Sequence, residues 1–312
     1  MRIVFLGTPE IARPSLAALA RRGHELAAVV TQPDRSAGRG RRLLRCPVAL
    51  LADELGLMVL QPAHVRELAG ELAELRPELL AVVAFGQILP PAILEIAPLG
   101  AVNLHTSLLP ALRGAAPIQR AIMQGLAVTG VSTMHLDRGM DTGDVILQEP
   151  VAIGPQDTAA SLGERLGLAG AELLARTVEL LALGRAPRAP QDQARATYAP
   201  PLAKEEGRVD WARPARELDR LVRGADPWPG AFTMSGGQPL KLFGPTLVLP
   251  HAGAAAPGTI IVSPDEHKDY ICVACGEGAL GLAEAQAAGK RRMSAGDFLR
   301  GARLAPGMRL GE

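Results

Sequence analysis

The residues best suited to chemistry lie in the middle of the chain, directly after a short apolar run. Asn103 and His105 are two positions apart, so on an extended strand their side chains face the same side. An amide donor beside an imidazole can hold a carbonyl oxygen that becomes negatively charged during acyl transfer. The competing interpretation is that both side chains only satisfy backbone groups at the end of a strand.

An acidic, glycine-rich segment follows at residues 137–144, with Asp141 inside it. A turn between two strands would explain the Asp and Gly residues without any catalysis. A carboxylate that reached His105 would instead orient the imidazole and favour its protonated form. The pattern therefore predicts either a plain turn or the acidic partner of a catalytic histidine.

These residues need a scaffold, and the first half of the chain alternates short apolar runs with helical patterns. Such alternation is typical of a mostly parallel sheet covered on both faces, with ligands bound beyond the carboxyl ends of the strands. The predicted strands are residues 2–6, 25–31, 57–60, 79–84, 101–104, 129–136 and 145–153. The predicted helices are residues 14–22, 47–55, 65–75, 116–124 and 159–183.

Between residues 184 and 201 this alternation stops, and four prolines occur among scattered polar residues. Such a composition is typical of a linker. We therefore predict a catalytic domain over residues 1–188, a linker over 189–203 and a second domain over 204–312.

The second domain begins with a short predicted helix at residues 215–223 and continues with strand-like segments separated by Gly and Pro. Many short strands at even spacing predict a small β-barrel. The predicted strands are residues 231–234, 240–242, 246–249, 258–262, 270–274 and 279–284.

The composition argues against several classes of protein. With 33 Lys and Arg against 32 Asp and Glu, no global field draws the chain to a polyanion. Three cysteines are too few for a disulfide framework and favour a reducing cytoplasm. The most apolar region, residues 79–102, is interrupted by polar residues and prolines, so we expect no membrane helix.

Two motifs that could indicate a cofactor or a metal are incomplete. The turn after the first strand lacks the Gly-x-Gly-x-x-Gly spacing that a dinucleotide needs. Cys272 and Cys275 form a lone C-x-x-C without two further ligands, so we expect packing residues and no metal.

Several motifs together resemble the 10-formyltetrahydrofolate-dependent formyltransferases, and the resemblance runs from Arg2 to near Leu310. They are Asn103-x-His105, Ser107-Leu108-Leu109-Pro110, Arg113-Gly114-Ala115-Ala116-Pro117 and Asp141-Thr142-Gly143-Asp144. The resemblance implies an α/β fold, a Rossmann-like formyltransferase domain followed by a small OB-like β-barrel domain. It also implies that Asn103, His105 and Asp141 are catalytic.

The same resemblance implies a co-substrate, 10-formyltetrahydrofolate, and the residues that bind it. The residues matching the folate-contacting turn are Ser107, Leu108, Leu109 and Pro110. The residues falling where the family lines the pterin pocket are Phe85, Gly86, Ile88 and Leu89.

Members of this family differ in the amine that they formylate, and an arginine cluster after the second strand bears on that choice. Five arginines lie within eleven residues with no acidic residue among them: Arg35, Arg39, Arg41, Arg42 and Arg45. Clustered arginines can neutralise phosphates, although a charge run on a surface loop is usually only solvated. The segment resembles the inserted loop with which members that use methionyl-tRNA grip the acceptor arm, and Arg39 matches the loop arginine most tied to that recognition.

The resemblance therefore predicts a cytoplasmic, monomeric enzyme that formylates initiator methionyl-tRNA for translation initiation. Within the family, an amino-sugar nucleotide or glycinamide ribonucleotide is the alternative acceptor. From another class, a non-catalytic RNA-binding module would explain the arginines and the β-barrel. It would not explain Asn103-x-His105 together with Asp141.

Overall fold

The apolar runs of the first half of the chain assemble into a single sheet. The structure is a computed structural model and describes residues 1–37, 42–301 and 304–312. The strands of this half are β1 (Arg2–Gly7), β2 (Glu25–Val30), β3 (Arg35–Ala37), β4 (Arg42–Leu44), β5 (Val59–Leu60), β6 (Leu79–Val83), β7 (Ala101–His105), β8 (Val128–His135) and β9 (Val145–Ala152).

The strand order in this sheet is β5-β2-β1-β6-β7-β8-β9, and β3 pairs with β4 as a separate antiparallel hairpin. The pairs from β5 to β7 are parallel, whereas β7–β8 and β8–β9 are antiparallel. Every side chain of β6 is buried, as expected for a central parallel strand covered on both faces. The predicted mostly parallel sheet is confirmed.

Helices accompany the strands of this half of the chain. They are α1 (Arg13–Arg21), α2 (Pro47–Glu54), α3 (Ala69–Glu74), α4 (Pro91–Leu94), α5 (Pro117–Met123) and α6 (Ala159–Ala182). The helices α1, α2, α4 and α5 carry proline in their first two positions. Backbone N–H groups there have no partner within the helix, so proline costs no hydrogen bond.

The second half of the chain forms an antiparallel half-barrel with two helices. Its elements are α7 (Ala215–Ala225), β10 (Ala231–Ser235), β11 (Gln238–Leu249), β12 (Ile260–Ile261), β13 (Ile271–Ala274), β14 (Ala279–Ala287), β15 (Met293–Ser294) and α8 (Ala295–Gly301). The strand order is β10-β11-β14-β13-β12, and β15 pairs with β14. Its core includes Trp211, Leu218 and Leu280, and Cys275 lies within it.

Backbone contacts divide the chain into two compact units. The first comprises Met1–Pro117, Val128–Ala152 and Gly163–Ala199. The second comprises Ile118–Ala127, Ile153–Leu162 and Pro200–Glu312. In the first unit, the proline-containing segment after α6 pairs with other strands and loops, Ala189 with Val145 and Tyr198 with Arg113.

Three predicted elements, one helix and two strands, differ from the structure. The helix predicted at residues 65–75 is a 3-10 turn at Val65–Leu68 followed by α3, and Gly70, a poor helix former, lies near the junction. The strands predicted at residues 240–242 and 246–249 form the single strand β11. Its register shifts between Phe243 and Thr246, because Pro245 has no N–H for the ladder and the strand bulges there.

Among the described residues, no helix is both long and apolar enough to cross a membrane. Within the same ranges, no group of three or more His, Cys, Asp or Glu side chains is arranged to hold a metal ion.

Candidate active site

His105 ends strand β7 and lies beside the carboxylate of Asp141. The ring is only 6% exposed, and its Nδ1 is 3.7 Å from Oδ2 of Asp141. Its Nε2 is 2.9 Å from the carbonyl oxygen of Leu112. Because a carbonyl can only accept, Nε2 carries a hydrogen and Nδ1 is the nitrogen that faces the acid. The structure thus brings together the histidine and the aspartate that the sequence singles out.

Residues 112–114 hold both members of this pair. The carbonyl of Leu112 contacts His105, and the backbone N–H of Gly114 donates to Oδ2 of Asp141 at 2.8 Å. Gly114 has a φ of 111°, and a Cβ there would meet the carbonyl oxygen of Ala199 at 2.9 Å, so the position requires glycine. The segment following the histidine is therefore a backbone cradle for the pair.

The acidic segment 137–144 is a turn between β8 and β9, fixed by its own side chains. Oδ1 of Asp137 accepts from the N–H of Gly139 at 2.8 Å and from the hydroxyl of Thr142 at 2.7 Å. A Cβ on Gly143 would overlap the carbonyl oxygen of His135, so glycine is needed there as well. The two interpretations of this segment are therefore compatible, because the same turn that uses Asp and Gly structurally also presents Asp141 to His105.

A glutamine from the segment after α6 ties this turn to Arg113. Nε2 of Gln191 donates to the carbonyl oxygens of Asp141 at 2.9 Å and Gly143 at 2.7 Å. Its Oε1 accepts from Nε of Arg113 at 3.1 Å and from Nη2 at 2.7 Å. Nothing in the sequence around Gln191 predicts this arrangement, because polar residues between prolines are typical of a linker.

Asn103 lies on β7 between Val82 of β6 and Met134 of β8. Its side chain is partly exposed and makes no hydrogen bond within the described part of the chain. The Asn103 amide therefore does not satisfy a backbone group at the strand end within the described residues. The amide is available to a ligand.

A second histidine, His135, lies next to the acidic turn. Its backbone N–H donates to the carbonyl oxygen of Asp144 at 3.0 Å. Burial lowers the pKa of the His135 imidazole, and the charge of Arg188 lowers it further. The neutral form of the His135 ring is therefore favoured. Among the described histidines, His105 is the one within ion-pair distance of Asp141.

The turn Ser107-Leu108-Leu109-Pro110 is held by polar side chains of β8 and β9. Oγ of Ser132 donates to the carbonyl of Ser107 at 2.6 Å and accepts from the N–H of Leu109 at 3.1 Å. Nε2 of Gln148 donates to the carbonyl of Leu109 at 2.9 Å. The side chains of Ser107 and Leu109 are buried, whereas those of Leu108 and Pro110 are partly exposed. Leu108 and Pro110 are thus the side chains of this turn that can meet a ligand.

The four residues predicted to line a pterin pocket follow β6 and differ in exposure. Phe85 and Leu89 pack in the core of the first unit, whereas Ile88 is 91% exposed. Gly86 has a φ of 84°, which favours glycine. A contact of these residues with a pterin stays a prediction.

The predicted RNA-contacting arginines fall on and around the β3–β4 hairpin. Arg35 begins β3 and Arg42 begins β4, while Arg39 and Arg41 lie outside the described residues. Leu43 and Leu44 on β4 are 72% and 58% exposed.

Arg45 is already bound to protein groups. Its Nη2 is 2.7 Å from Oδ1 of Asp53, and Nη1 donates to Oε1 of Gln61 at 3.0 Å. The hydrogen bond from Arg45 holds the pKa of the Asp53 carboxyl below its usual range. Arg45 therefore anchors the hairpin to α2, and an RNA contact from it stays a prediction.

Two family models match the chain in succession. The model described as "Formyl transferase" matches residues 1–178, and the model described as "Formyl transferase, C-terminal domain" matches residues 201–303. Similar full-length proteins are named methionyl-tRNA formyltransferase. The one from Geobacter metallireducens is 46% identical, and the one from Moorella thermoacetica is 48% identical, each covering 100% of this chain and 99% of the relative.

Solved structures share the fold at low identity. HypX from Aquifex aeolicus in complex with tetrahydrofolic acid has a TM-score of 0.69 at 20% identity, and the match covers 98% of this chain but only 49% of that protein. WlaRD, a sugar 3N-formyl transferase, has a TM-score of 0.64 at 16% identity, with 93% of this chain and 99% of that chain covered. At these identities the likeness concerns the fold alone. The sequence match over both halves shows that the chain belongs to the formyl transferase family.

Proposed function

We propose that this chain transfers the formyl group of 10-formyltetrahydrofolate to the amino group of initiator methionyl-tRNA. The observation that carries the proposal is the contact of His105 with Asp141, close in sequence to an Asn103 amide without a partner among the described residues. The acceptor is supported by relatives named methionyl-tRNA formyltransferase, which match all of this chain at 45–48% identity. The chain acts as a monomer in the cytoplasm, where translation takes place.

The reaction begins when the neutral amine of the acceptor attacks the formyl carbon on N10 of the folate. As the new C–N bond forms, negative charge builds on the formyl oxygen. Asn103 donates to this oxygen, and so does Nδ1 of protonated His105, because Nε2 already donates to Leu112. At 3.7 Å, Asp141 is within ion-pair distance of Nδ1 but too far for a hydrogen bond, which leaves the Nδ1 hydrogen for the formyl oxygen. Removing one such donor typically reduces kcat by about 100-fold to 1000-fold.

The attacking nitrogen becomes positively charged and must lose a proton. Oδ2 of Asp141 accepts from Gly114, whereas Oδ1 accepts no hydrogen bond within the described residues. Oδ1 is therefore the oxygen placed to take the proton. The bond from carbon to N10 then breaks, and N10 takes the proton that Asp141 accepted. Tetrahydrofolate leaves, and the formylated amine is the second product.

The co-substrate would bind between the turn 107–110 and the loop after β6. Leu108, Pro110 and Ile88 offer partly or fully exposed apolar surface there, which suits the flat ring of a pterin. The structure of HypX with tetrahydrofolic acid supports a folate ligand for this fold. No metal is required by this mechanism.

The RNA would be recognised by the arginines of the hairpin and by the second unit. Arg39 and its neighbours carry positive charge on a chain whose net charge is only +1, so the charge is local to this segment. Antiparallel barrels of this kind commonly bind oligonucleotides. The exposed Leu43 and Leu44 add apolar surface beside the arginines.

The test is stoichiometric product formation. The purified chain, 10-formyltetrahydrofolate and charged initiator tRNA should yield tetrahydrofolate and formylmethionyl-tRNA in a 1:1 ratio. The same tRNA without methionine is the matched control and should release no tetrahydrofolate. Tight binding of methionyl-tRNA without any tetrahydrofolate release would show a binding module and refute the proposal.

A further inference from the structure

We propose that Gln191 is a positioning residue for formyl transfer. By binding both Arg113 and the turn that carries Asp141, it holds Asp141 close to His105. The inference rests on the proposed function for its chemistry. Its geometric basis is a closed ring of contacts, and every residue in that ring lies in the first unit.

Asp141 needs support from outside its own turn. Its φ is 55°, a left-handed conformation that is sparsely populated by residues other than Gly, although Asp enters it more readily than most. Two external groups hold it, the N–H of Gly114 on its carboxylate and Nε2 of Gln191 on its carbonyl. Gln191 also holds Gly143, two residues later, so it fixes both ends of the segment that carries the carboxylate.

Gln191 is itself held by a buried charge. The guanidinium of Arg113 is 1% exposed and donates twice to Oε1 of Gln191 and once, at 2.8 Å, to Oε1 of Gln193. No carboxylate lies within ion-pair distance of Arg113 in the described ranges. A buried cation satisfied by neutral amides is unfavourable compared with apolar packing, so its presence points to a role in geometry.

The ring closes through the backbone on either side of Arg113. The preceding residue, Leu112, accepts from His105, and the following residue, Gly114, donates to Asp141. A movement of Gln191 would therefore shift Asp141 directly and would shift His105 by way of Arg113 and Leu112. Both shifts would change the distance between His105 and Asp141. Misplacement of a reacting group by about 1 Å can reduce turnover by about 100-fold.

A matched pair of substitutions tests this role. Gln191→Glu keeps an acceptor for Arg113 but replaces the amide that donates to Asp141 and Gly143. Gln193→Glu places the same carboxylate against the same guanidinium from an exposed position. Among the described residues, Gln193 makes no hydrogen bond to the acidic turn, and its Nε2 donates to the carbonyl oxygen of Gln191 at 3.5 Å. Both variants keep the Arg113 contact, so both should fold. Gln191→Glu loses two hydrogen bonds to the acidic turn, so its melting temperature should lie below that of Gln193→Glu, which should stay close to that of the wild type.

We expect Gln191→Glu to lower kcat by about 10-fold to 100-fold while the KM values for folate and methionyl-tRNA change less than about 3-fold. Gln193→Glu should stay within about 2-fold of the wild-type kcat. A peptide spanning residues 137–144 should exchange its amide hydrogens faster in Gln191→Glu alone. Wild-type kcat and wild-type exchange in Gln191→Glu would overturn the inference, as would equal losses in both variants.

The two measurements separate this inference from the proposed function. A wild-type chain that formylates no methionyl-tRNA would refute the proposed function. The exchange measurement would still decide whether Gln191 holds the turn.

Discussion

His105 combines two contacts that fix its chemistry at the scale of a single residue. The Leu112 carbonyl determines which ring nitrogen carries a hydrogen, and Asp141 lies on the side of the other nitrogen. Asn103, two residues earlier, supplies a second donor from the same strand. The proposed catalytic residues therefore come from the end of β7 and from the turn at residues 137–144.

Replacing His105 with alanine should reduce kcat by at least about 100-fold, because the oxyanion loses a charged donor. The KM for each substrate should change by less than about 3-fold. His251→Ala, which removes an exposed histidine, is the control. Steady-state kinetics would measure both variants, and near-normal kcat in His105→Ala would show that the imidazole is not catalytic.

Replacing Arg39 with alanine should raise the KM for methionyl-tRNA about 10-fold, because a loop arginine that pairs with a phosphate is lost. The KM for 10-formyltetrahydrofolate should stay the same. Arg185→Ala, an exposed arginine without an ion pair among the described residues, controls for the loss of one positive charge. Equal increases in both KM values would mean that Arg39 has a structural role.

At the scale of elements, the strands β8 and β9 do more than complete the sheet. Ser132 of β8 is fully buried and meets three groups, the carbonyl of Ser107, the N–H of Leu109 and the amide of Gln148. These antiparallel strands therefore fix the turn that we propose for folate.

Ser132→Ala should raise the KM for the folate at least about 5-fold and destabilise the fold by about 1–3 kcal/mol, since buried partners lose their hydrogen bonds. The adjacent Thr133→Val is the matched control. Its hydroxyl bonds to Thr177 and to the N–H of Leu147, and in the described ranges it makes no hydrogen bond to the turn. Thermal unfolding should shift in both variants, but a change in folate KM in Thr133→Val as large as in Ser132→Ala would contradict the assignment.

Sequence patterns predict most elements of the fold, because apolar runs and proline positions act locally. They place β7 with Asn103 and His105 at its end, and the turn that carries Asp141. They do not predict Gln191, because its partners are 48, 50 and 78 residues away in the chain. They also miss β15 and α8, which are a short strand and a short helix near the end of the chain.

At the scale of the whole molecule, each unit has its own core. The core of the second unit includes the thiol of Cys275, whose ionisation is coupled to folding. Burial raises the pKa of the Cys275 thiol from 9.0 to about 11. The neutral thiol is therefore favoured in the folded chain. This contribution to stability is fully present below pH 9 and is lost as the pH rises towards 11.

The free energy of unfolding should fall more steeply between pH 9 and 11 in the wild type than in Cys275→Ala, by up to about 1.4 kcal/mol per pH unit. Cys46→Ala, which removes a partly exposed thiol, is the control for losing a cysteine. Urea unfolding at a series of pH values would show this, and parallel curves for the wild type and Cys275→Ala would contradict the burial argument.

The central claim is that the site formylates methionyl-tRNA, and a direct comparison of acceptors tests it. Initiator methionyl-tRNA, glycinamide ribonucleotide and a nucleotide-linked amino sugar would each be offered with 10-formyltetrahydrofolate, and kcat/KM measured for each. We predict a kcat/KM for methionyl-tRNA at least about 1000-fold above the other two, equivalent to about 4 kcal/mol of discrimination. Formylation of the amino sugar or of glycinamide ribonucleotide, with none of methionyl-tRNA, would contradict the account.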